Sequence, residues 1–294
     1  MTASTREPST PPSARLAVWW PVLLGLLAMY VPTYYRFATT LWSTDEQAHG
    51  PLILLAALYL AWGQRRHLQD GAAAQVRPLL GGLIMLAGLL LYVLGRTQDI
   101  QMFEIGSQIL VLAGILLMTL GAKALRALWF PLFFLVFLVP LPGFLVDAVT
   151  APLKQHVSEL AEAILYQAGY PIARSGVTLT IGQYELLVAD ACSGLHSMFS
   201  LSAMGMLYLY LMRRTGWLHN GIIIAGIIPV AFFANAVRVI AIVLVTYHFG
   251  DEAGQGFIHG FAGVLLFIIA LLALFALDSG LARVIAAPNE GGAG

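Results

Sequence analysis

Charge is what this chain has least of. Asp, Glu, Lys and Arg make up only 10% of its 294 residues, while 59% are hydrophobic. A water-soluble domain carries about 25% charged residues. The shortfall leaves too little polar surface to face water and points to a polytopic membrane protein. Cysteine is nearly absent as well. A single Cys192 excludes an internal disulfide framework and a cysteine-rich metal centre. Basic runs are missing and the formal net charge is zero, so no phosphate-tracking surface exists and nucleic acid is not an expected partner. Nothing in the sequence asks for a metal or a cofactor.

What is present is a series of apolar runs. A spanning helix needs about 20 mostly apolar residues. Eight candidates fall near 16–34, 50–63, 78–95, 105–121, 125–147, 193–212, 217–247 and 257–277. They predict an all-α polytopic membrane protein of about eight transmembrane helices. The second run is short, and the seventh is long enough to be kinked or split at Pro229. The polar stretch 1–15 reads as a disordered tail, 16–279 as the transmembrane domain and 280–294 as a second short tail. The first apolar run lacks a small-residue cleavage site and reads as a retained helix. With both ends inside, ten Lys and Arg fall on the inner face and Arg36, Arg96, Lys154 and Arg174 on the outer, as the positive-inside bias requires.

The longest stretch between runs, 148–190, belongs to the outer face. LKQHVSELAEAILYQAG has the three–four spacing of an amphipathic helix at the interface. GVTLTIGQYELLVAD alternates around Ile181-Gly182 as a β-hairpin. The hairpin leads into ADACSGLHS, which places Cys192 at the outer start of the sixth helix. A helix N-terminus favours a thiolate, the nucleophilic form. Ser193 and Gly194 leave room for a peptide backbone to approach. The plainer alternative is a small buried residue.

A cysteine nucleophile wants a base, often histidine. Topology sets His67 and His219 on the inner face and leaves His49, His156, His196, His248 and His259 on or near the outer one. His196 shares a helix face with Cys192, and His259 opens the eighth run in HGFAG. The sequence ranks these two level. Arg238, in FFANAVRVIAIVLV, lies about 14 Å below the outer end of the seventh run, with Asn235 on the same face. A charge within a span costs at least ~2.5–3.5 kcal/mol and tends to be functional. Here it reads as a clamp for an oxyanion or a substrate; an ion pair with Asp190 or Asp147 is the structural alternative. WSTDEQAHGPLI brings Asp45, Glu46 and His49 to the same mouth, or else is a solvated loop.

Taken together, these pieces resemble the exosortase/archaeosortase family of membrane cysteine transpeptidases, most closely its exosortase B branch. The resemblance rests on ACSG at 191–194, NAVR at 235–238, HGFAG at 259–263 and DEQAHGPL at 45–52, with Ala48 where serine is usual. It implies Cys192 as nucleophile, His259 as acid/base and Arg238 as third catalytic residue. Asp190, Ser193, Gly194, His196, Asn235, Asp45 and His49 would support them. It implies secreted protein substrates with a C-terminal tail of Pro-Glu-Pro type, one transmembrane helix and a basic cluster. The tail would be cut at the periplasmic face of a bacterial inner membrane. The competing readings are a transporter with Arg238 as its anchor, or a non-catalytic subunit of an exopolysaccharide export machine.

Overall fold

The computed structural model describes residues 12–43, 49–65, 76–187, 194–212, 216–260 and 262–286, with backbone alone at some helical positions. In chain order the helices are α1 (Pro12–Thr39), α2 (Gly50–Gly63), α3 (Pro78–Thr97), α4 (Gln101–Thr119), α5 (Gly121–Ala127) and α6 (Trp129–Phe134). A 3-10 turn, Leu135–Leu138, continues α6, and α7 (Gly143–Gln167) follows. After strands β1 (Ile172–Ser175), β2 (Thr178–Ile181) and β3 (Tyr184–Leu187) come α8 (Gly194–Met212), α9 (Trp217–Phe249), α10 (Asp251–Gly260) and α11 (Ala262–Ala286).

The architecture is a largely α-helical, multi-span membrane fold with one small sheet. Helices α3, α4 and α9 are long and apolar enough to cross a bilayer, and the pair α5–α6 with its turn, bent by 59°, is a fourth candidate. The expected count of eight is not reached by that measure among the described residues. Helix α2, with 14 residues, spans only about 21 Å against a hydrocarbon core of about 30 Å. The expected single run 125–147 is also corrected. It is divided among α5, α6 and the start of α7, with Pro140 and Pro142 in the gap before α7. Conversely, α9 is one helix of 33 residues with Pro229 inside it, not two pieces. Pro229 and Ala225, whose carbonyl loses its hydrogen bond to the missing N–H, both lie on the exposed side.

Helices α3 and α4 form a hairpin seamed by glycine. Gly81, Gly88 and Gly95 recur every seventh residue and are buried. A Cβ at Gly88 would lie 2.9 Å from Val111 of α4, and one at Gly81 would lie 2.8 Å from the Gly114 carbonyl. The two backbones therefore touch, the arrangement small residues permit in membranes. A second cluster joins α1, α2 and α6 to α8 through Phe37, Ile53, Phe130, Phe134 and Ala203. Phe130 stacks on Tyr210 at 3.9 Å.

The sheet is an antiparallel meander in the order β1-β2-β3. The hairpin expected around Ile181-Gly182 is its second half, and β1 is an addition. Both turns have two central residues with glycine first, Gly176 (φ 62°) and Gly182 (φ 58°). That is the type II′ pattern, whose twist suits antiparallel strands. Alternation then sorts the side chains. Ile172, Leu179, Ile181 and Leu186 are buried, while Ala173, Ser175, Glu185 and Leu187 are exposed. The apolar face packs on Val157, Ala161 and Leu165 of α7 and on Ala236, Val239, Ile242 and Val243 of α9. The expected amphipathic helix is the C-terminal half of α7, and its polar side holds Arg174 against Glu159 (3.5 Å) and Glu162 (3.0 Å).

Helix α9 is the axis of the molecule. From its start outward it packs first on Leu274 through Ile223 and Ile227. Ala231 and Ala234 then meet Leu201 of α8 and Ala270 of α11. Beyond these it packs on α7 and the sheet. Gly205 of α8 lets Ile227 approach to 2.7 Å of where a Cβ would stand, so α8, α9 and α11 form a close three-helix bundle.

Candidate active site

The candidate positions gather toward the end of that bundle on which the sheet packs. Cys192, Asp190, Ser193 and Asp45 lie outside the described residues, and His196 and His259 are described in backbone only. Cys192 precedes Gly194, the first residue of α8, by two residues in the sequence. The layer Leu201–Ala234–Ala270 provides a common level. Gly194 stands about 10 Å outward of Leu201, Ala262 about 12 Å outward of Ala270, and Arg238 about 6 Å outward of Ala234. Arg238 is thus roughly one turn deeper than the starts of α8 and α11.

Asn235 and Arg238 share the buried face of α9, at 1% and 6% exposure, and each is engaged by a neighbour. Their depth needs revision. Large exposed apolar side chains run along α9 from Trp217 to Val237 and resume only at Phe249. Beyond Val237 the helix is covered by α7 and the sheet. The bare stretch is 20 steps, about 30 Å, the thickness of one hydrocarbon core. Arg238 therefore sits at the rim of the lipid-facing stretch, although it is 11 residues short of the helix end. A charge there costs less than one at the bilayer centre.

His259 is placed differently from expectation. It lies one residue before the end of α10, a short helix that precedes α11, rather than opening the expected eighth run. Helix α10 turns back from α9 at Gly250 (φ 90°) and packs on it. A Cβ at Gly254 would overlap the Thr246 hydroxyl. That close approach fixes the height of α10, and with it the backbone of His259. His49 precedes α2, with Gly50 buried beneath the Trp42 indole. His156 pairs with Glu159 at 3.3 Å, and His248 meets the Tyr170 hydroxyl at 3.3 Å. Those two face the α7–sheet region.

Two polar clusters were missed in the sequence. Where α1 and α3 end and α4 begins, the fully buried Glu104 is bonded by Arg36, Arg96 (3.1 Å) and Thr33, and Arg36 reaches Asp99 at 2.6 Å. At the opposite end of the bundle, Asp278 of α11 accepts from Tyr208 of α8 (3.0 Å) and pairs with His219 of α9 (2.6 Å). The available signal was an acid within or beside an apolar run.

The fold and these clusters define a multi-span helical membrane protein with a small sheet capping one end. The family model for transmembrane exosortases matches residues 41–276. That interval contains every candidate position, and the chain belongs to this family, whose members are implicated in sorting proteins that bear C-terminal PEP-CTERM signals. No curated protein and no solved structure matches the chain.

Proposed function

We propose that this chain is a membrane cysteine peptidase/transpeptidase that cuts C-terminal sorting tails at the periplasmic face of the inner membrane. The single observation that carries the reading is convergence. Helix α8, which Cys192 precedes by two residues in sequence, and α10, which contains His259, both pack on α9, the helix that carries Arg238. In this mechanism the Cys192 thiolate attacks the scissile carbonyl carbon to form a tetrahedral adduct. Arg238 stabilises its oxyanion. The C–N bond breaks, and His259 delivers a proton to the departing amine. The resulting thioester on Cys192 is released by an acceptor amine, giving a transpeptidated product, or by water, giving a cleaved one. Asp190, Ser193, Gly194, His196, Asn235, Asp45 and His49 line or support this mouth.

The topology we assign has eight crossings with both ends cytoplasmic, 148–190 outside and short tails at 1–15 and 280–294. Exposed Trp62, Trp129 and Trp217 all lie at helix ends assigned to the inner face, which suits an interfacial aromatic belt. We place the chain in the exosortase B branch. The continuity of α9 weighs against the transporter reading, which leaned on a broken helix. The test is co-expression with a sorting-tail substrate in a host without other processing enzymes. Wild type should shorten the substrate and Cys192→Ala should not; equal shortening by both would refute the cysteine mechanism.

A further inference from the structure

We propose that the cytoplasmic leaflet is locally thinned beside α2 and α6, where anionic phospholipid covers the shortened face. This rests on the topology assigned above, in which α2 crosses with Gln64 at its inner end, and not on the identity of the nucleophile. The heights follow from the packing of α8. The Gln64 side-chain amide donates to the Tyr210 hydroxyl at 2.9 Å, and the Tyr210 ring stacks on Phe130 at 3.9 Å. The inner end of α2 and the start of α6 therefore share the level of Tyr210. Helices α8 and α9 run antiparallel, with Leu201 against Ala231 and Ala234, Gly205 against Ile227, and Leu209 packed with Ile223. Tyr210 is thus level with about Ile222.

The lipid-facing stretch of α9 begins five residues further in, at Trp217, about 7–8 Å beyond that level. At the other end, His49 stands fifteen residues from Gln64, about 22 Å along the helix. That brings it level with Val237, where the exposed stretch of α9 stops. The faces of α2 and α9 therefore share an outer limit and differ at the inner one. A short apolar helix is accommodated by a thinned bilayer, by side chains that reach to the ordinary interface, or by association. Tilt would only shorten its span further.

Side chains do not reach to the ordinary interface here. The Arg65 guanidinium folds back over the Trp62 ring, 4.6 Å from its centroid, and donates to the Trp62 carbonyl at 3.0 Å. The exposed Trp62 and Trp129 instead mark an aromatic belt at the raised level. Charge decides between lipid and association. The chain bends by 59° at Leu128, so α5 leaves the direction of α6 with Lys123 and Arg126 exposed. With Arg65 they give the inner margin of this face three cations, and the described residues of 49–65 and 121–138 include no acid. A second copy set on this face about a two-fold axis would bring like charges together. The anionic headgroups of a cytoplasmic leaflet complement them.

The test uses full-length protein with Cys192→Ala, which removes the only native cysteine, in nanodiscs of phosphatidylcholine and phosphatidylglycerol. Tyr59 of α2 and Ile228 of α9 are both exposed and stand within about one residue of the same height. Spin labels at Tyr59→Cys and Ile228→Cys report depth by power saturation. A flat bilayer gives them equal depth; thinning places the Tyr59→Cys label about 7–8 Å closer to the headgroups. Chain-nitroxide phosphatidylglycerol should quench a bimane at Tyr59→Cys about two- to fivefold more than the phosphatidylcholine analogue at equal mole fraction. Arg65→Gln, Lys123→Gln and Arg126→Gln together should bring that ratio to about one, and the depth comparison keeps these charges intact should the triple variant fail to fold. Equal depths, a ratio of about one in the parent, a ratio unmoved by the folded triple variant, or spin–spin broadening between copies at Tyr59→Cys would overturn lipid thinning. Arg65→Cys labelled by an impermeant maleimide from the periplasmic side alone would instead overturn the topology, and the thinning with it.

Discussion

Replacing Asp278 by alanine removes one acceptor on which two other helices converge. Tyr208 and His219 bond its two carboxylate oxygens at 3.0 and 2.6 Å, and all three residues are buried. Depriving a buried donor of its partner costs about 1–3 kcal/mol in soluble proteins, which puts two at about 2–6. Interhelical hydrogen bonds in a bilayer average only about 0.6 kcal/mol with a maximum near 1.7, because the membrane-embedded unfolded state finds other partners; two then give about 1–3. The ranges overlap at about 2–3 kcal/mol. The charged acceptor favours that upper end of the membrane range. Asp278→Asn keeps an acceptor at one position and should lose about half as much. The measurement is SDS-driven unfolding of purified protein in mixed micelles, followed by circular dichroism, with Tyr208→Phe completing a double-mutant cycle. A loss below about 0.5 kcal/mol for Asp278→Ala would refute a shared buried clamp, since that is less than one average interhelical bond. Processing should fall only as far as the folded fraction falls, because the clamp lies about 20 Å or more from the outer helix ends.

Glu104→Gln should destabilise by about 1–3 kcal/mol in the same unfolding assay, below the 3–5 of a fully buried pair, because Arg36 and Arg96 keep 30% and 42% of their side-chain exposure and can turn to water. Gly254→Ala should push α10 off Thr246 at a cost of about 1–3 kcal/mol of local packing and reduce substrate shortening. Thr246→Ala in the same chain, which removes the overlapping hydroxyl, should restore it on the same gel.

Legibility in the sequence followed the type of signal. The multi-span class came from bulk hydropathy, and Gly182 announced its turn because a type II′ position needs φ > 0, whereas Gly176, at the equivalent position of the first turn, was passed over together with β1. The path of the chain within the membrane was harder. Hydropathy ran through 125–147 without a break, yet Pro140 and Pro142 and the bend at Leu128 divide it. Pro229 carried the same nominal breaking signal, and α9 passes through it as one helix of 33 residues. Proline therefore decided nothing without its surroundings. The polar clusters were invisible for another reason. Glu104 meets Arg36 and Arg96 only because α1 and α3 end where α4 begins, and Asp278 meets Tyr208 and His219 only after three helices pack. For the site, the sequence placed Asn235 and Arg238 on one face but had no means of seeing that α7 and the sheet climb the outer third of α9.

That cover changes the physical meaning of Arg238. Its neighbours divide between two environments. Ala234 packs into the bundle with Leu201 and Ala270, while Ala236 and Val239 pack into the cap with Leu179, Ile181 and Leu186. The arginine thus stands at the seam where the bundle gives way to the cap, with lipid-facing Val237 beside it. A residue there escapes most of the desolvation cost of the bilayer centre and still lies in a shielded site where its charge acts strongly. A substrate whose anchor is a membrane helix and whose cut site is extended must change environment at that same level. On the proposed reading, the seam is where its apolar tail ends and its reactive backbone begins, so the depth of Arg238 is set by the substrate's own boundary between lipid and water.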